Sequence, residues 1–304
     1  MRFLLTYSIL FLTLFANAQH SPLVSHYMLN GLVINPAYTG SREVFTANAM
    51  YRNQWVGFEG APVTQVVSAH TPLKNKSIAL GVLFNNEKIG VSNATGISGN
   101  VAYRIQMGAA KLSFGVSAGM KLLSAKNSDL LTADGNDMAF ASDLRSNLQP
   151  DFGAGVYYST NNYFVGVSVP TLISTNYNIS DEKLRLRSQA GLHNILINGG
   201  YLFELNDQFK LKPSTLIRIS PVGSSQFDLN ANLIYNDRFW LGVSYRHREA
   251  LVGLIEFQIN PQFKVAYAYD YALSVFRQYS SGSHEIGLQY EFGYKIKSVD
   301  PRFF

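Results

Sequence analysis

Apolar and polar residues alternate along most of this chain with a period of two, the signature of β-strands whose two faces meet different surroundings. From Phe227 to Asn236, one face is Phe227, Leu229, Ala231, Leu233 and Tyr235, and the other is Asp228, Asn230, Asn232, Ile234 and Asn236. Phe239, Leu241, Val243 and Tyr245 alternate with Trp240, Gly242, Ser244 and Arg246. Phe263 to Tyr271 and Glu285 to Phe292 repeat the pattern. Such runs predict about fourteen strands, near 44–55, 64–73, 77–88, 93–106, 109–126, 149–160, 162–173, 188–205, 209–220, 224–236, 238–249, 250–260, 262–273 and 282–294. Many are about 11 residues long, which suits strands that cross a membrane at a tilt.

The links between strands alternate in length. Lys74-Asn75-Lys76, Gln106-Met107-Gly108, Asn161-Asn162, Asn206-Asp207-Gln208, Asn236-Asp237 and Asn260-Pro261 are short, whereas the links between them are longer and more polar. A soluble sandwich has no reason to keep that alternation, but an outer-membrane barrel has tight inner turns and long outer loops. It places both chain ends on the side of the short turns. Asn161-Asn162 and Asn236-Asp237 suit the left-handed backbone of two-residue hairpins. Tyr163, Tyr235, Phe239, Trp240, Phe263 and Phe292 lie near short turns and are read as the inner aromatic girdle. The longest outer segments are 127–149, 174–187 and 274–283.

Composition agrees with a wall between lipid and water. Of 304 residues, 47% are hydrophobic and only 15% charged, against about 25% in soluble domains. Residues 1–18 carry Arg2, an apolar run from Phe3 to Phe15 and Ala16-Asn17-Ala18, the pattern of a cleaved signal peptide. The apolar run is too short to span a bilayer. Cysteine is absent, which excludes disulfides and thiolate metal sites, and a net charge of +5 from scattered Lys and Arg argues against nucleic acid.

The inward face of the expected barrel is rich in glycine, at Gly81, Gly115, Gly119, Gly153, Gly155, Gly166, Gly242 and Gly287. Glycine allows sharp bending or the close approach of another backbone, so a flattened, partly filled barrel is expected. Glu204, Asp228, Glu256, Asp270, Glu285 and Glu291 share that face with Lys121, Lys212, Arg218 and Lys264, as a salt-bridged lumen or as a path for ions or substrate. The stretch 19–43, with turn signals at Asn35-Pro36 and Thr39-Gly40, would plug the lumen or rest on the inner rim. The tail 295–304 would dock its terminal phenylalanines on the barrel or a partner, or serve as an assembly signal.

Catalytic chemistry is thinly represented. None of the six histidines stands in a metal-ligand pattern and no G-x-S-x-G elbow occurs. Arg246-His247-Arg248-Glu249 reads as a solvated outer rim facing lipopolysaccharide phosphates, with a hydrolytic dyad on His247 as the competing view.

Three segments carry a family resemblance: Ile34-Asn35-Pro36-Ala37-Tyr38-Thr39-Gly40-Ser41, then Tyr51-Arg52-Asn53-Gln54-Trp55-Val56-Gly57-Phe58-Glu59-Gly60-Ala61-Pro62, and the closing Pro301-Arg302-Phe303-Phe304. The chain resembles the PorP/SprF family of the type IX secretion and gliding machinery. Gly31 departs from the proline expected after Asn30. The resemblance implies a non-enzymatic, cofactor-free barrel that assists secretion or surface anchoring of a large adhesin carrying a C-terminal sorting domain. Its implied partners are that adhesin, other type IX components, a periplasmic OmpA-like peptidoglycan-binding protein and outer-membrane lipid. Candidate partner-binding residues are Asn35, Pro36, Tyr38, Gly40, Arg52, Gln54, Trp55, Pro62, Pro301, Arg302, Phe303 and Phe304, with loop packing as the alternative role for Arg52, Gln54, Trp55 and Pro62. The expected organisation is a signal peptide (1–18), a periplasmic or plug segment (19–43), an all-β antiparallel transmembrane barrel (44–294) and a periplasmic tail (295–304), located in the outer membrane. A passive or substrate-selective porin is the alternative function.

Overall fold

The computed structural model describes residues 24–129, 143–172, 174–178, 183–187, 193–221 and 225–292. The barrel strands, numbered along the chain, are β1 (Phe45–Asn53), β2 (Val63–Pro72), β3 (Ile78–Ile89), β4 (Ser92–Met107), β5 (Ala110–Ala125), β6 (Leu144–Ser159) and β7 (Tyr163–Val169). They continue with β8 (Ile195–Tyr201, prolonged by Phe203–Glu204), β9 (Phe209–Ile219), β10 (Gln226–Tyr235), β11 (Phe239–Arg246), β12 (Ala250–Gln258), β13 (Phe263–Ala272) and β14 (Ser283–Phe292). Each strand pairs antiparallel with its chain neighbours, and β1 pairs with β14 from Phe45↔Phe292 to Asn53↔His284. The sheet is therefore a closed, fourteen-strand, up-and-down barrel with no free edge, as a wall in hydrocarbon requires.

The alternation resolves as the sequence predicts. On β10, Asp228, Asn230 and Asn232 are buried inside while Leu229 and Leu233 are exposed outside. Val243 on β11 is 66% exposed, and Ile97, Val116 and Ile286 exceed half. So continuous an apolar exterior is untenable in water and natural in lipid.

The short turns satisfy their own backbone. Asn236 and Asp237 adopt φ of 49° and 54°, the pair a type I′ hairpin needs. Asn161-Asn162 does not use that geometry: Thr160 Oγ1 accepts from the N–H groups of Asn162 and Tyr163 instead. Asn206 and Asn260 cap their turns through their side-chain oxygens.

Other departures have local causes. Strand β7 stops at Val169 because Pro170 has no N–H to continue the ladder. Within the expected outer loop 174–187, Ser174–Asn178 and Lys183–Arg187 pair as a separate two-stranded sheet. Trp240 does not join the girdle: it is buried on the inward face, with Lys264 Nζ 3.5 Å from its ring centroid. Its even-numbered partners Gly242, Ser244 and Arg246 share that face. Glu204 is exposed at the short-turn rim.

Candidate functional site: a lumenal segment anchored at both ends

Residues 24–43 fill the interior of the barrel. The chain enters at the long-loop end and leaves at the short-turn end, where β1 begins. Val24, the first described residue, packs with Val66, Leu196 and Leu216. Val24 and Phe292, the ends of the described chain, therefore lie at opposite ends of the barrel. The chain ends themselves, expected on the side of the short turns, lie outside the described residues.

The upper anchor gathers charge from five strands. Glu285 on β14 accepts from the backbone N–H of Ser25 (2.6 Å) and of His26 (2.8 Å), and pairs with His26 Nδ1 at 3.0 Å. Arg52 on β1 reaches Asp270 on β13 at 2.7 Å and Glu285 at 3.3 Å. Arg246 on β11 reaches the same Asp270 at 3.1 Å and Asp228 at 3.2 Å. Ser25 Oγ joins both halves: it accepts from Arg52 Nη1 (2.8 Å) and donates to Asp270 (3.0 Å). All these side chains are at most 3% exposed. Burial acts to lower the pKa of His26, but the hydrogen bond and charge of Glu285 outweigh it, and the pKa is raised.

Below the anchor, polar groups of the segment that its own turns do not use are met by wall side chains. Gln289 donates to Leu29 O (3.1 Å), and Ser168 donates to Ile34 O (2.5 Å). Ser68 Oγ donates to Asn30 Oδ1 at 3.0 Å. Then Asn35-Pro36 starts a short 3-10 helix, Pro36–Tyr38, by ordinary capping logic. Asn35 Oδ1 accepts from Ala37 N (2.9 Å), while Asn35 Nδ2 donates to Val156 O (3.0 Å). This helix lies on the glycine patch of β5, β6 and β7. A Cβ on Gly115 would stand 2.2 Å from Ala37 N, and one on Gly155 would stand 2.1 Å from Asn35 Oδ1. Backbone has taken the place of side chains.

Tyr38 packs edge-on against His70 and Tyr157, and its hydroxyl accepts from Arg42 Nε at 3.0 Å. Its ring also explains Gly31, where a Cβ would come within 2.6 Å of it. Gly40, at φ +76°, donates its N–H to His70 Nδ1. Arg42 pairs with Glu291, and Glu43 with Arg104, Lys111 and Lys76, closing the lower anchor at the short-turn end. Burial opposes ionisation of Glu43, yet Lys111 and Arg104 lower its pKa.

The second motif divides. Arg52 turns into the lumen, away from the loop it was expected to pack, while Trp55 builds the outer rim. The Trp55 ring stacks on Phe276 at 4.1 Å and 12°, with Phe58 edge-on to the same ring. Val56 N donates to Gly282 O and Ser281 N to Val56 O, both at 2.8 Å. Gln54 N donates to Pro62 O (2.9 Å), which closes the loop on itself. The β1–β2 and β13–β14 loops thus form one ordered platform. Pro301, Arg302, Phe303 and Phe304 lie outside the described residues.

Sequence reasoning had placed Asp270 and Glu285 inside but had not joined them to Arg52, Ser25 and His26. The available signal was position: each charge sits on the inward face within a few residues of its strand's long-loop end. Arg246, expected at a solvated rim, belongs to this cluster. His247 stacks on Phe227 at 4.8 Å and pairs with no acid among the described residues.

A family model described as "Type IX secretion system membrane protein PorP/SprF" matches residues 16–290. The chain belongs to the PorP/SprF family. A search of curated proteins returned no match. Among solved structures, the CymD monoaromatic hydrocarbon channel is 14% identical, with a TM-score of 0.50, over 88% of this chain and 93% of that one. Omp33 of Acinetobacter baumannii is 9% identical, with a TM-score of 0.48, over 83% and 100%. The likeness shows the fold alone. With the family, the closed barrel and its apolar exterior, this PorP/SprF chain is an integral outer-membrane protein.

Proposed function

We propose that this PorP/SprF barrel is a non-enzymatic accessory of type IX secretion, assisting export or surface anchoring of an adhesin with a C-terminal sorting domain. The observation that carries the reading is the filled lumen. The described segment is fixed at both ends, and cavities of about 20 Å³ remain beside Met28, each room for about one water. The wider lumenal cavity, about 130 Å³, opens above Val24 and Ile34 at the long-loop end and is floored by them. A barrel so filled acts through its surfaces. With the short turns in the periplasm, the lower rim is available to a peptidoglycan-binding partner and the Trp55–Phe276 platform to cargo.

The porin reading drew on inward-facing charge. Much of that charge is engaged in pairs: Glu285, Asp270 and Asp228 with the upper anchor, Glu256 with Lys264 and Glu291 with Arg42. The test is a pull-down of tagged protein from detergent-solubilised outer membrane with mass spectrometry. Recovery of sorting-domain adhesins or type IX components is expected; absence of both would sink the proposal.

A further inference from the structure

The lipid-facing wall carries a groove that the secretion reading does not use. It has a volume of about 480 Å³ and lies across β10 to β13, in the half of the barrel nearer the long loops. Two rows of paired, outward-facing residues define it. The upper row is Leu229, Tyr245, Leu251 and Tyr271; the lower row is Ala231, Val243, Gly253 and Tyr269. Ala231 and Gly253 are the small members, and a Cβ on Gly253 would meet nothing within 4 Å. Gly253 also has no left-handed backbone to explain it. The glycine therefore leaves a depression in an otherwise bulky exterior.

In a bilayer such a depression does not stay empty, because lining atoms without neighbours lose their dispersion contacts. What surrounds this wall is hydrocarbon. Directly above, the guanidinium of Arg277 lies 5.0 Å from the centroid of the Tyr271 ring. Arg248 is exposed at the β11–β12 turn. Neither has a carboxylate partner among the described residues, and tyrosines mark this level as the membrane interface. We propose that the groove is a specific site for a phosphorylated glycolipid of the outer leaflet, with an acyl chain over Gly253 and a phosphate on Arg277. Continuity with the lipid surface and the two unneutralised cations favour a lipid over a second barrel. The inference rests on the long loops facing outward, and not on the secretion role.

Native mass spectrometry of the full chain in neutral detergent, titrated with lipid A and with dephosphorylated lipid A, tests it. The wild type should bind lipid A about tenfold more tightly than the dephosphorylated form, the scale of one charge-assisted contact. Gly253→Leu should fold, as heat-modifiable mobility reads, and lose lipid A; Arg277→Ala should keep binding but lose the phosphate preference. Unchanged lipid A binding in Gly253→Leu, no preference in the wild type, or a lipid-free dimer would each overturn the proposal. If Gly253→Leu does not fold, photo-crosslinking with a diazirine-acyl lipid A replaces it. Adducts on β11 to β13 support the site, and adducts only elsewhere refute it.

Discussion

At the scale of the residue, glycine and charge decide how the lumen is filled. Gly155→Ala would drive a methyl group into Asn35, 2.1 Å away, and displace the side chain that caps Pro36–Tyr38. Loss of that cap and of the bond to Val156 is expected to cost ~1–2 kcal/mol. Denaturant unfolding of the refolded barrel measures it; an unchanged midpoint would contradict the packing described. Glu285→Ala leaves two N–H groups, the His26 ring and Arg52 short of a partner, and breaking a buried pair costs ~3–5 kcal/mol. Amide exchange at 25–30 should then accelerate while the strands stay protected. The same amides report pH. The pKa of His26 is raised on folding, so its stabilisation is full below the unfolded value of about 6.5 and is lost as pH rises through the folded value. Protection, corrected for intrinsic rates, should fall on that rise in the wild type and stay level in His26→Gln.

At the scale of the element, the sequence already showed most of the wall. Strand number and facing follow from a strict period of two, because one face meets hydrocarbon and the other a packed polar interior. The turns were legible where backbone dictates residue, as at Asn236-Asp237, and not where a neighbour does the work, as Thr160 does. Trp240 lies beside a short turn, but parity along β11 decides its facing and turns it inward. The lumenal segment was legible as something other than a strand, and the glycine face as room for a backbone. Their meeting was not, since Ala37 and Gly115 are far apart in sequence and carry no local mark of each other. The tethered loops make their own prediction. Trp55→Ala removes the stack on Phe276, worth ~0.5–1.5 kcal/mol beyond its burial. Protease cleavage in 54–62 and 273–282 should rise together in that variant, whereas a rise in one loop alone would argue against a single platform.

At the scale of the whole molecule, the barrel is a closed wall around its own chain. The lumenal pass connects the two ends: Ser25 and His26 are held where the long loops are, Arg42 and Glu43 where the short turns are. Orientation is testable directly. In intact cells a membrane-impermeant maleimide should label Ser280→Cys and spare Asn75→Cys until the outer membrane is opened; the reverse pattern would invert the assignment of faces. The central claim is that this lumen is occupied and does not conduct. Single-channel recording of the purified protein in planar bilayers tests it most directly. The wild type should show no large steady conductance, and Glu285→Ala should show intermittent opening. Large, steady currents from the wild type would contradict the account.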